Sequence, residues 1–289
     1  MKKVSILIPA YNCEQEIYHC VRSLLEQTCS DFEVIAVDDG SQDRTGSRLD
    51  FYARLHPDQF RIIHQSNRGV AAARNAALDA ARGEYVLFLD SDDWLRRRAV
   101  ATLLETARIT QADVVICGYV SEGIVSRKHQ VQRTMMPHRR TLMKMLMRDR
   151  QVRNYAWGKL IRRNLFDGLR FWEGRLFEDV ELMHKVLLRS EKTVLIPDLL
   201  MHYHLRRSHS LTRSLSPQGI RDMLDAFAIQ AESITAYDPS LSRQARQMKR
   251  RAAVMAAMFL VVRGYWSGAL WKELFQPRRV AAVSRPLNL

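Results

Sequence analysis

Five short apolar runs recur through the first part of the chain, at residues 4–8, 33–37, 61–64, 85–89 and 113–117. Between them lie stretches with apolar residues at helical spacing. In 14–27, for example, Ile17, Val21, Leu24 and Leu25 share one face. Strand–helix alternation repeated this often implies a parallel sheet with crossover helices. The reading is therefore α/β. Helices are expected over 14–27, from a cap at Ser41 or Asp43 to about Leu55, over 70–81 with Gly83 as C-terminal cap, and from Trp94 to about Ile109.

Two of these strands end in acid. The run Tyr85 to Leu89 leads into Asp90, Asp92 and Asp93, and the run 33–37 leads into Asp38-Asp39-Gly40-Ser41. So many carboxylates are too costly to bury unpaired. They belong at the carboxyl edge of the sheet, where open α/β folds bind ligands. Hard oxygen donors at that spacing suit Mg²⁺ or Mn²⁺ shared with substrate phosphates, and the plain alternative is a polar turn capping the next helix. The chain has no Gly-x-Gly-x-x-Gly and no phosphate loop ending in Gly-Lys-Ser/Thr, which disfavours a dinucleotide enzyme or a P-loop NTPase.

Length and composition allow one large core or two modest ones: 289 residues, 47% hydrophobic and 26% charged. Charge is the exception. Residues 1–100 hold 13 Lys and Arg against 15 Asp and Glu, a net of −2, so residues 101–289 carry +16 of the total +14. A basic half of this size faces nucleic acid, the anionic inner surface of a membrane, or only solvent. Cys13, Cys20, Cys29 and Cys117 show no Cys-x-x-Cys spacing, so free thiols in a reducing compartment are expected. Pro9 and Asn12 interrupt the apolar N-terminal run too early for a secretory leader.

Six segments, in order, carry a family resemblance. They are Val-Ser-Ile-Leu-Ile-Pro-Ala-Tyr-Asn (4–12), Val-Ile-Ala-Val-Asp-Asp-Gly-Ser (34–41), Asn-Arg-Gly-Val-Ala-Ala-Ala-Arg-Asn (67–75), Gly-Glu-Tyr-Val-Leu-Phe-Leu-Asp-Ser-Asp-Asp (83–93), Trp-Gly-Lys-Leu-Ile-Arg-Arg (157–163) and Glu-Gly-Arg-Leu-Phe-Glu-Asp (173–179). Together they resemble the family-2 glycosyltransferases, inverting enzymes that use nucleotide-activated sugars. The resemblance implies a GT-A-type, Rossmann-like, mostly parallel sheet flanked by helices, with a helical C-terminal extension. It implies a nucleotide pocket at Pro9, Tyr11, Glu14, Asp38 and Asp39, with Asp39 accepting from the base. Asn67, Arg74, Asp90 and Ser91 would face the diphosphate-sugar. Asp92 and Asp90 would hold a divalent cation, Mn²⁺ or Mg²⁺. Asp179 would be the catalytic base, oriented by Glu178, and Trp157 and Lys159 would lie on the acceptor side. The stretch His202 to Thr212 is similar to a Tyr/Arg-rich family loop, but has Leu205 where Arg is frequent. There Arg206 and Arg207 would clamp the diphosphate, and His202 or His204 would help hold the metal.

What this implies chemically is a single displacement. A carboxylate takes the proton from an acceptor hydroxyl as its oxygen attacks the anomeric carbon, while the leaving diphosphate is screened. The implied donor is a UDP-sugar, with dTDP- and GDP-sugars open, and the acceptor is a saccharide or lipid-linked saccharide of a surface polysaccharide. The chain divides accordingly into a nucleotide-sugar half (1–120), an acceptor and base half (121–215) and a basic helical extension (216–289). In that extension the apolar run 252–262 stops at Arg263-Gly264, short of the ~20 residues a membrane span needs. Cations at 243, 246, 249, 250 and 251 precede it, and Trp266, Trp271, Arg278, Arg279 and Arg285 follow. Either it is a core helix or it lies in a membrane interface, peripheral on the inner face of the cytoplasmic membrane. A sugar-nucleotide pyrophosphorylase would need a glycine-rich basic loop after the first strand. A nucleic-acid-binding protein would not set acids along its ligand edge, and no nucleic acid is expected. A non-catalytic, donor-binding relative is the remaining alternative.

Overall fold

The computed structural model describes residues 2–123, 125–205, 216–264, 268 and 271–272. In chain order its elements are β1 (Val4–Ala10), α1 (Ile17–Leu25), β2 (Phe32–Asp38), α2 (Thr45–Leu55), β3 (Phe60–His64), α3 (Val70–Ala80), β4 (Tyr85–Phe88), β5 (Trp94–Leu95) and α4 (Ala99–Thr110). Then come β6 (Val114–Glu122), β7 (Arg127–His129), β8 (Thr134–Met135), α5 (Arg139–Arg148), β9 (Lys159–Arg162), α6 (Glu178–Arg189), β10 (Thr193–His204), α7 (Pro217–Tyr237) and α8 (Ser242–Val262). They form two compact units. The first comprises Met1–Pro137, Tyr155–Gly174 and Ser190–Arg207, and the second His138–Asn154, Arg175–Arg189 and Ser208–Leu289.

The first unit is a mixed sheet in the order β3-β2-β1-β4-β9-β6-β10-β5, with β7 on β6 and β8 on β10. Its left half, β3-β2-β1-β4, is parallel throughout, as the alternation of the first ninety residues requires. β9 enters between β4 and β6 and runs antiparallel to both, whereas β6 and β10 pair in parallel. β1 and β4 are buried along their whole length, as strands covered on both faces should be. Ile6, Ile8, Val34, Ala36, Leu87 and Leu89 pack with Ile17, Val21 and Leu24 of α1 and Leu103 and Ala107 of α4 in one core.

Local differences from the sequence expectation have local causes. α1 begins at Ile17 rather than Glu14, because residues 12–14 are bonded to the loop after β2. α2 starts at Thr45 behind Arg44, with Asp43 accepting the Thr45 N–H at 2.9 Å. Gly83 does not cap α3, whose C-cap position is Ala81 in extended conformation. It is a close-approach glycine: a Cβ there would lie 2.6 Å from the Ser5 nitrogen. Trp94 and Leu95 form β5 by pairing with β10, which delays α4 to Ala99. Trp157 lies in the turn that leads into β9. It bridges to Phe88 just before β9.

The second unit is helical. α8 packs on α7 and α5, and α6 on α5 and α7. Ser216 caps α7, its hydroxyl accepting the Gly219 N–H at 3.1 Å, and Pro217 fills the first turn where a missing N–H costs nothing. Ile220, Met223, Ala256 and Leu260 make its core, with Phe227 and Phe259 against them. Among the described residues, no helix is long and apolar enough to cross a membrane.

Candidate active site

The carboxyl ends of β1, β2 and β4 lie side by side, and hydrogen bonds join the loops that leave them. Ala10 pairs with Asp38 in register, and the Asp39 N–H donates to the Ala10 carbonyl at 2.9 Å. Pro9 is buried in β1, while Tyr11 emerges 41% exposed. Beyond it Asn12 adopts φ +44°. Its N–H donates to the Ser41 hydroxyl (3.1 Å), and its Oδ1 accepts the Gln42 N–H (2.8 Å). Glu14 accepts the Arg44 N–H at 3.0 Å and donates its own to Asp43 at 3.1 Å. Glu14 thus holds the two loops to each other.

Asp38 and Asp39 point to different tasks. Asp38 is buried, accepts the Ser41 N–H on Oδ1 (3.0 Å) and sets Oδ2 3.0 Å from His64 Nδ1. The other His64 nitrogen lies 2.9 Å from Asp50, and these two carboxylates, Asp50 first, raise the imidazole above its ordinary range. Asp39 is 3% exposed and holds the loop before α3. Its Oδ1 accepts from Gln65 Nε2 (2.6 Å) and the Arg68 N–H (2.9 Å), and its Oδ2 from the Gly69 N–H (2.7 Å). Gly40, at φ +73°, makes this close approach feasible: a Cβ there would come within 2.8 Å of the Asn67 nitrogen. Asn67 itself stands exposed on the loop.

The acidic turn after β4 is held from three sides. Leu89 donates to Leu7 at 3.0 Å, and the Asp93 N–H closes the turn onto the Asp90 carbonyl at 3.0 Å. Asp93 is fully buried and accepts the His204 N–H at 2.9 Å, which ties the turn to the end of β10. Trp94 stacks on His202 with centroids 5.2 Å apart. Ser91 is buried, and Asp90 and Asp92 are partly exposed. Arg74, only 6% exposed, donates to Asp90 Oδ1 at 2.9 Å and lies over the Phe171 ring. Asn75 beside it clamps the Phe171 backbone with two bonds of 2.9 Å.

The three carboxylates bear on two neighbouring side chains. The Cys20 thiol behind them is pushed well above its ordinary value, by burial first and then by charges that include Asp93, Asp92 and Asp90. The Tyr203 phenol is raised in the same way, by burial, then Tyr155, then the same three acids. Tyr203 belongs to an aromatic stack. Trp157 packs against both Tyr155 (4.5 Å) and Tyr203 (5.1 Å), which also meet each other at 6.3 Å, with Tyr119 edge-on to Trp157 at 4.9 Å. Lys159 does not reach the surface. It is 2% exposed, and its Nζ donates to the Tyr155 carbonyl at 2.5 Å, fixing the turn that carries Trp157.

In the second unit, Glu178 and Asp179 open α6, where acids favour the positive end of the helix. Glu178 is buried, and Asp179 Oδ1 accepts the Val180 N–H at 2.8 Å. Phe177, at φ +63°, makes the turn into that helix. Arg206 and Arg207 lie outside the described residues. Sequence reasoning missed His64 and Gln65, and gave Asn75 and Tyr155 no role. Asn75 at least stood within the segment 67–75.

The profile described as Glycosyl transferase family 2 matches residues 5–170. The chain belongs to that family. It is 32% identical over 245 residues to "Glycosyltransferase GlyG" of Streptococcus pneumoniae, covering 78% of each protein. With GlyA of the same organism it shares 32% identity over 78% of this chain, but it spans only 34% of GlyA's length. It is also 47% identical over 125 residues to the chondroitin synthase of Escherichia coli, covering 43% of this chain and 18% of that protein. Solved glycosyltransferases share the fold. S. aureus TarS 1–349, crystallised with UDP-GlcNAc, superposes with TM-score 0.67 at 22% identity, covering 78% of this chain and 66% of that one. The mannosyltransferase PcManGT of Pyrobaculum calidifontis, solved with GDP-Man and Mn²⁺, gives 0.59 at 19% identity, covering 94% of this chain and 83% of that one.

Proposed function

We propose that this chain is an inverting glycosyltransferase that moves a sugar from a nucleotide-sugar, a UDP-sugar in the first instance, to a saccharide or lipid-linked acceptor in surface-polysaccharide synthesis. The observation that carries the proposal is the acidic turn 90–93 beside Arg74, set where β1, β2 and β4 end together. Relatives named for glycosyl transfer, and fold neighbours crystallised with UDP-GlcNAc and GDP-Man, support it.

In this reading Pro9, Tyr11 and the 38–41 turn face the nucleoside. Asp39 acts by holding Arg68 and Gly69, so that their loop presents Asn67 to the diphosphate. Arg74 supplies positive charge to the phosphates while its stacking on Phe171 keeps it oriented. Asp179 accepts the proton of the acceptor hydroxyl as the new C–O bond forms and the bond to the diphosphate breaks, and Glu178 steadies its helix turn. Trp157 offers an aromatic wall on the acceptor side.

The residues present also fit a divalent cation. Asp90 and Asp92, both partly exposed, supply hard oxygen donors of the kind such an ion takes. Among the described residues, no group of three or more His, Cys, Asp or Glu side chains is already gathered for a metal, so substrate phosphate would complete the set. His204 is the reserve ligand, brought close by its backbone bond to Asp93. Mn²⁺ or Mg²⁺ held there would act as a Lewis acid, screening the charge that grows on the leaving diphosphate.

Calorimetric titration of UDP, GDP and dTDP, with and without Mn²⁺, tests the proposal. Micromolar, metal-dependent binding of one nucleotide is the expected result. Binding of none by the folded chain would reduce the resemblance to ancestry.

A further inference from the structure

The second half of α8 is apolar on both sides. Its inward stripe of Ala252, Ala256 and Leu260 is buried in the helical unit. The opposite side carries Val254, Met258 and Val262, exposed by 60%, 61% and 80%, with Met255 and Val261 also exposed. At about 100° per residue, 254, 258 and 261 form one ridge, and 255 and 262 the ridge beside it. A helix that is apolar all round is ordinarily covered all round.

The same outward arc continues toward the N-terminus of α8 as Arg243, Gln247, Arg250 and Arg251, all exposed. Arg251 also reaches the Met147 carbonyl of α5, which ties this arc to the unit beneath. α8 carries five Lys and Arg residues and no Asp or Glu, and Arg263 follows at its far end. One face therefore joins a cationic half to an apolar half. Two copies set ridge to ridge would bury the apolar residues but leave the cations unmatched. An anionic bilayer surface matches both halves at once, headgroups against Arg243, Arg250 and Arg251, acyl boundary against the Val and Met.

We propose that this face of α8 docks on an anionic lipid surface. The inference goes beyond the proposed glycosyl transfer and does not depend on it. Long Arg stems let the guanidinium heads reach phosphates while the ridge enters the interface.

Flotation of the full chain with mixed phosphatidylglycerol–phosphatidylcholine vesicles, and with phosphatidylcholine alone, tests it. Binding to the anionic vesicles only, weakened by salt, is expected. Met258→Glu with Val262→Glu should abolish that binding, and Arg250→Glu should weaken it by about tenfold or more. Equal partition into both vesicle types, no binding to either, or intact binding of the double variant would overturn the proposal. A concentration-dependent dimer that the double variant dissociates would assign the ridge to a second copy and overturn it as well.

Discussion

Asp39→Asn changes one atom and should release a whole loop. The carboxylate is 3% exposed and accepts three hydrogen bonds, from Gln65 and Arg68 on one oxygen and from Gly69 on the other. An amide nitrogen cannot accept. The better flip keeps the Oδ1 pair and turns an NH₂ toward the Gly69 N–H, while the opposite flip loses two bonds instead of one. Hydrogen bonds to a charged acceptor contribute roughly 1.5–3 kcal/mol each, and the retained pair weakens when the charge goes. The cost to the closed loop is therefore about 2–4 kcal/mol, which raises its open population on the order of thirtyfold or more. Hydrogen exchange at the Arg68 and Gly69 amides reads this directly, with strand amides of β1 as the internal control. The reasoning fails if protection at these two amides is unchanged. Nucleotide affinity lost without any change in their exchange would mean that Asp39 meets the base itself.

The other expectations address separate parts of the molecule. Asp179→Asn should remove turnover, by 10²-fold or more, yet leave donor affinity nearly intact, as calorimetry and rate measurements on one preparation will tell. Asp92→Ala should abolish the Mn²⁺-dependent part of nucleotide binding, so unchanged metal dependence in titration would refute the metal assignment. Gly83→Ala should destabilise the first unit by about 1–3 kcal/mol in urea unfolding, since its Cβ would meet the Ser5 backbone, which cannot turn aside. His184 is fully buried, and burial, then Lys185, lowers its pKa to about 3. The folded state therefore resists a proton that the unfolded chain takes up below about 6.5. Stability should fall as pH drops from about 6.5 toward 3, by about 2 kcal/mol between pH 7 and 5. His184→Met should flatten that part of the profile, and identical slopes in the two proteins would count against the reading.

What the sequence disclosed, and what it withheld, follows from where the information sits. β1, β2 and β4 were legible because each is an apolar run long enough to be covered on both faces, and the acids that end β2 and β4 mark the carboxyl edge of the sheet. β9 was not, because its antiparallel place between β4 and β6 is reached only after the chain has passed through the second unit. Asp39 stood out as a site residue, but its work did not, since two of its three donors are backbone N–H groups that no side-chain pattern advertises. Gly83 follows an alanine-rich run in the position of a helix cap, whereas its missing side chain serves a contact with a strand about eighty residues earlier. Lys159 has the residue type of a phosphate or acceptor contact and turns out to hold carbonyls of the turn around Trp157.

Such cases share a form. Residue type and spacing report which groups are present at the sheet edge, while backbone partners decide which of them are spent on architecture. Asp38, Asp39, Asp43 and Asp93 each accept at least one backbone N–H, and among them they tie the loop after β1 to that after β2, the loop before α3 to β2, and the end of β10 to β4. Asp90 and Asp92 are less buried than Asp38, Asp39 and Asp93, in keeping with the ligand role proposed for them above. Asp90 is the one that Arg74 already touches. The buried Arg74 guanidinium is fixed by that 2.9 Å bond and by the Phe171 ring, and in the function proposed above it would also meet the donor phosphates. The order of events should then show in the salt and metal dependence of binding. Arg74→Leu should weaken nucleotide binding even without metal, whereas Asp92→Ala should not.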